Sequence, residues 1–178
     1  MDQARALDPK LISALIGAGI VALGWLVSGL RSRATERRRR LERMRDVQTA
    51  ISAEILPYLE SLELFDLTDH LDQVVTKMRS DDVYSPVVPT ERNDTVFRAV
   101  LPEIHVLPEA VIRPVVRYYS QLFAIEALIE DLRSDAFKTM NKAQQEAIFT
   151  DYISLKLAAL DLGRDCLAAI DQELASRK

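Results

Sequence analysis

Twenty consecutive residues, Leu11 to Leu30, carry no charge, and eight arginines follow within the next fifteen positions. A helix of that length rises about 30 Å, the thickness of the hydrocarbon core of a bilayer. The run therefore predicts a single transmembrane helix over residues 11–30, bracketed by Lys10 and Arg31. It is longer than the roughly 7–15 residues at the apolar centre of a signal peptide, and an arginine-rich segment makes a poor exported terminus, so an uncleaved anchor is expected.

The arginines also orient the anchor. Arg5 and Lys10 precede the span and are offset by Asp2 and Asp8, whereas Arg31, Arg33, Arg37, Arg38, Arg39, Arg40, Arg43 and Arg45 lie just behind it. Basic residues stay on the cytoplasmic side. Residues 1–10 are thus expected outside, residues 31–45 as an Arg-rich juxtamembrane helix, and residues 46–178 as a cytoplasmic domain at the inner membrane of a bacterial cell. Arg31, Arg33, Arg37, Arg38, Arg39 and Arg40 are the expected contacts to anionic headgroups, each worth about 1 kcal/mol near the surface. Nucleic acid is the sharper alternative partner for such a run. The run is tethered to a membrane, however, and has no interleaved aromatics for base stacking, so no nucleic-acid partner is expected.

Net charge follows the same division. Residues 1–45 hold ten basic against four acidic side chains, and residues 46–178 hold thirteen against twenty-three. Within the span, Ser13, Gly17, Gly24 and Ser28 fall on one helical face, with Ala14, Ala18 and Ala22 beside it. Small residues let membrane helices approach closely, so this face is suited to pairing with a second copy.

Beyond Gly29 the only glycine is Gly163. A long stretch with one glycine has few ways to make the positive-φ turns of hairpins, and none of the Gly-rich loops that cradle phosphates. Helical periodicity fills it instead. Leu41, Met44, Ile51, Ile55, Tyr58, Leu62 and Phe65 recur at steps of three and four, with Gln48 in the missing place. Such a seam serves either a self-pairing coiled coil or a helix inside its own bundle. Pro57 is expected to kink the helix or restart it.

A second helix is expected after Thr68 as its N-cap, ending near Arg79. Residues 80–93, with two prolines, form the longest break. Asp94 is expected to cap a short helix through Phe97 and Leu101, Pro108 to sit in the first turn of a longer one, and Asn141 to cap the last. The expected fold is all-α, an N-terminal single transmembrane helix followed by an antiparallel helical bundle.

Val96, Phe97, Leu107, Pro108, Val115, Val116, Tyr118 and Tyr119 carry a resemblance. A Phe-containing turn, a leucine-proline break and an apolar helix with paired aromatics resemble a loose group of uncharacterised bacterial proteins. Those are single-pass anchors followed by a cytosolic helical domain. The resemblance implies the same architecture here and no activity.

Residues suited to chemistry are few. Cys166 stands alone, so neither an intrachain disulfide nor a cysteine-based zinc site can form. A di-iron bundle needs Glu-x-x-His on two helices, but Leu67 and Pro102 stand three residues ahead of His70 and His105. Asp69, His70 and Asp72 read as a solvated helix start, and Ser120 has no neighbouring base. No cofactor, no metal and no enzymatic activity are expected. Of Tyr118 and Tyr119, one is expected in the core and the other near the surface as a candidate partner contact, aromatic residues being enriched at interface hot spots. The leading expectation is a membrane-tethered helical scaffold or adaptor that binds a protein partner at the cytoplasmic face. Two alternatives are a small-ligand or stress sensor signalling through the membrane helix and a phage-derived membrane-active effector.

Overall fold

The computed structural model describes residues 9–176; within 9–30 only Trp25, Ser28 and Gly29 have described side chains. Among the described residues every regular element is helical. The chain divides into two units, residues 1–43 and 44–178, and helix α1 (Pro9–Leu64) contributes to both.

In the first unit α1 is helical from Pro9. Side chains 31–43 are all exposed. Arg38 pairs with Glu42 at 2.9 Å, one turn on, and the Thr35 hydroxyl donates back to the Arg31 carbonyl at 2.9 Å. Among the described residues no helix is long and apolar enough to cross a membrane. The expected span falls mostly on side chains outside the described residues, as do Ser13, Gly17 and Gly24 of the small-residue face.

The second unit is a bundle. Its first member is the end of α1, where Met44, Val47, Ile51, Ile55, Tyr58, Leu59 and Leu62 are buried. The heptad-like seam is thus spent inside its own unit, while Leu41 and Phe65 at its ends stay about half exposed. Pro57 does not restart the helix: α1 runs through it to Leu64. Pro57 and Ala53, whose carbonyl loses its partner, are both exposed, which leaves that carbonyl open to solvent and lowers the cost of the missing bond.

Helix α2 (Leu67–Ser80) starts two residues earlier than the sequence predicts, with Asp66 and not Thr68 as its cap. Asp66 Oδ1 accepts the Asp69 N–H at 2.9 Å, and a carboxylate there also meets the positive end of the helix dipole. Helix α3 (Thr95–Val100) and a 3₁₀ segment (Leu101–Val106) follow residues 81–94. Helix α4 (Glu109–Arg133) begins after Pro108 and holds Pro114 in its early turns. After the short α5 (Asp135–Thr139), which sequence periodicity does not show, α6 (Lys142–Ser176) completes the unit. Asn141 caps α6 as expected, exchanging bonds with Gln144 in a capping box: Asn141 Oδ1 accepts the Gln144 N–H at 2.9 Å and the Gln144 side chain accepts the Asn141 N–H at 3.2 Å.

Helices α4 and α6 form an antiparallel hairpin. Tyr118 lies at the level of Gly163, and Gln121 donates to the Leu155 carbonyl at 2.9 Å. Gly163 lets α6 close on its neighbours: a Cβ there would sit 2.6 Å from Leu59 Cδ2 and 3.0 Å from Tyr118 Cε2. That close approach offsets the roughly 1 kcal/mol that glycine costs a helix. Helix α2 packs on α6 and is held by Arg79, which forks onto the Glu146 carboxylate at 2.8–3.1 Å.

Gln48 is one of several polar exceptions in this core, with the Ser52 and Tyr118 hydroxyls and Gln145 Oε1 also lacking a partner. Gln48 is fully buried, and neither amide atom has a hydrogen-bond partner. Burying an unpaired amide costs on the order of 1–3 kcal/mol. Gln48→Leu is therefore expected to stabilise the protein by about 1–2 kcal/mol, seen as a higher denaturant midpoint with unchanged slope. A lower midpoint would show that the amide is held by a partner inside the core.

Candidate functional site

Residues 81–94 lie against the bundle as a strap fastened from three helices. Lys142 Nζ of α6 donates to the carbonyls of Asp81 and Tyr84 at 3.3 and 3.0 Å. Arg133 Nη1 of α4 donates to the Val88 carbonyl at 2.9 Å. The Val88 side chain is buried, whereas Val83 and Val87 point outward, each more than nine-tenths exposed. The predicted break is real, and it is a structured segment.

The strap's charged centre is Glu91. One of its oxygens accepts the Tyr58 hydroxyl of α1 at 2.9 Å. The other accepts Lys156 Nζ at 2.5 Å and the Tyr152 hydroxyl at 3.2 Å, both from α6. The Lys156 and Glu91 side chains are only 12% and 19% exposed, so this ion pair is largely withdrawn from water. The ammonium also sits 5.1 Å from the Tyr152 ring centroid, where the negative face of the ring attracts it. Burial first, and then the Glu91 charge, push the Tyr58 and Tyr152 hydroxyls well above the usual phenol range. They remain protonated donors.

A second carboxylate organises the other end of the strap. Glu54 of α1 accepts the N–H groups of Val96 and Phe97 at 2.6 and 2.9 Å, and the Tyr119 hydroxyl at 2.8 Å. Asp94 occupies the N-cap position of α3 but makes no capping bond; its carboxylate pairs with Arg98 instead. The cap of α3 thus comes from a different helix. Phe97 then stacks on Tyr119 with ring centroids 3.8 Å apart.

Tyr118 and Tyr119 are both in the core, 1% and 0% exposed. The expectation that one of them faces solvent as a partner contact is not met: α4 is covered on both sides, and Tyr119 is turned inward by its bond to Glu54. Of the headgroup candidates, Arg31, Arg33, Arg37, Arg39 and Arg40 are exposed and form no ion pair among the described residues. Ser28 is exposed as well. His70 packs its ring against Phe65 and Phe149, with centroids 4.9 and 6.1 Å away. Asp69 binds Gln73 at 2.6 Å, and His105 Nδ1 lies 3.0 Å from the Pro102 carbonyl. Among the described residues no group of acidic, histidine or cysteine side chains could hold a metal ion. Cys166 is fully buried, and burial pushes its thiol up to about 12, which keeps it protonated and unreactive near neutrality.

Beside Glu91 the surface opens into a groove of about 460 Å³ between the end of α1, the start of α2 and the strap. Tyr58, Ser61, Leu62, Phe65 and Leu67 make one wall; Thr90, Glu91, Arg92, Asn93 and Lys156 make the other. The sequence carries one signal for this place. Lys156 is the only charge between Asp151 and Asp161 in an otherwise apolar helix, and such a lysine needs a partner when buried. Nothing local names Glu91 as that partner. Comparison with protein families, with curated proteins and with solved structures finds no match for this chain.

Proposed function

We propose that this protein is a membrane-tethered, non-enzymatic helical adaptor. Residues 11–30 cross the bilayer, the arginines behind them lie on anionic headgroups, and the second unit meets a protein partner at the cytoplasmic face. The observation that carries the reading is the sequence of uncharged run and arginines on one continuous helix, with five of the six headgroup arginines exposed and unpaired among the described residues. A cation left without an internal partner is available to lipid phosphate. The adaptor role is supported by the state of the polar groups in the second unit. The buried hydroxyls of Tyr58, Tyr119 and Tyr152 are bound to carboxylates, its thiol is enclosed, and its inner ion pair is closed on itself. These arrangements hold a shape. Tethering raises the local concentration of such a surface for partners at the membrane.

Expressed in a bacterial cell, the full chain is expected to remain in the membrane fraction after alkaline carbonate washing. A chain lacking residues 1–30 should be released into the supernatant. Release of the full chain by carbonate would overturn the anchor. The groove beside Glu91 favours a second reading, in which the second unit senses a small ligand.

A further inference from the structure

We propose that the groove beside Glu91 binds a small organic monocarboxylate with an apolar body. At about 460 Å³ its volume lies within the range of roughly 300–1,000 Å³ common to small-molecule sites. The two walls differ in chemistry. Phe65, about half exposed, is the apolar surface that the α1–α2 corner presents to whatever enters, backed by the buried Leu62 and Leu67. The opposite wall supplies charge.

Two cations, Arg92 and Lys156, and one carboxylate, Glu91, line the groove. Glu91 is already bonded to Lys156 and to two tyrosine hydroxyls, and it neutralises one of the cations. Arg92 is exposed and has no ion pair among the described residues. One positive charge is therefore left over, which suits a monoanion better than a doubly charged phosphate. The guanidinium fork matches the two oxygens of a carboxylate. Lys156 has three N–H donors, of which Glu91 takes one, so it can add a second contact from the floor. The ligand's apolar part would cover Phe65, and its carboxylate would face Arg92.

This inference rests on the groove and is independent of the membrane anchor, so either can fail while the other stands. The test uses the full chain in lipid nanodiscs and three probes: 3-phenylpropanoate, 3-phenylpropan-1-ol and propanoate, titrated calorimetrically with empty nanodiscs as the blank. The expected result is binding of 3-phenylpropanoate with a dissociation constant of about 0.1–5 mM, a value in keeping with a probe of this size. The alcohol, which lacks the charge, and propanoate, which lacks the apolar body, should each bind about tenfold more weakly or not measurably. Arg92→Ala should weaken 3-phenylpropanoate about tenfold. The thermal midpoint of that variant should be unchanged, because Arg92 is exposed and has no hydrogen bond or ion pair among the described residues. No heat above the nanodisc blank would overturn the proposal. So would equal binding of the acid and the alcohol, equal binding of propanoate, or an Arg92→Ala variant that binds like the parent.

Discussion

Replacing Glu91 with alanine is expected to destabilise the protein by about 3–5 kcal/mol, the usual penalty for leaving one member of a withdrawn ion pair alone. Lys156 would keep a charge at a site only 12% exposed, and the Tyr58 and Tyr152 hydroxyls would lose their acceptor. For a unit of this size the loss corresponds to a fall of roughly 10–15 °C in the unfolding midpoint. The strap should loosen with it, because Glu91 is the point where residues 81–94 join α1 and α6. Limited proteolysis near the exposed Val83 and Val87 would report that loosening. The double variant Glu91→Ala, Lys156→Met separates the causes. Removing the stranded ammonium should recover much of the stability, since an apolar pair can replace a buried ion pair at little cost. If Glu91→Ala lowered the midpoint by no more than a surface substitution does, the pair would have to be solvated in solution.

The second large effect is expected at Glu54. Its carboxylate accepts two backbone N–H groups and one hydroxyl, and bonds to a charged acceptor contribute about 1.5–3 kcal/mol each, less than additively. Glu54→Ala is expected to cost about 3 kcal/mol overall. Glu54→Gln should cost about half as much, because one carbonyl oxygen remains while the amide nitrogen faces donors. Hydrogen exchange gives the sharper reading. The amides of Val96 and Phe97 should lose protection in both variants, while amides in the middle of α6 should change only by the global loss. Uniform loss everywhere would mean that Glu54 supports the whole unit and is not the cap of α3.

The helices were legible in the sequence wherever one stripe faces one core. Met44 to Leu62 reads at steps of three and four, and those residues are the buried ones. Asn141 carries the oxygen that a helix start needs, and it caps α6. Helix ends decided by tertiary contacts were not legible. Asp94 has the right residue type for a cap, yet Glu54, some forty positions earlier, takes the α3 amides. Likewise Thr68 looked like the start of α2, but Asp66 lies at the extended corner where its side chain can reach back to Asp69. The paired tyrosines show another limit. Adjacent helical residues point about 100° apart, so a helix covered by neighbours on two sides can bury both. Ion pairs such as Lys156 with Glu91 join residues 65 positions apart, and no local pattern records them.

The most direct measurement of the central claim is the location of the C-terminal end of the full chain. A reporter that works only in the cytoplasm and one that works only outside it are each fused at Lys178 and expressed at equal levels. With residues 11–30 spanning the inner membrane and the arginines held inside, only the cytoplasmic reporter should be active. Activity from the external reporter would contradict the orientation drawn from the arginines and place the second unit, with its groove, on the other side of the membrane.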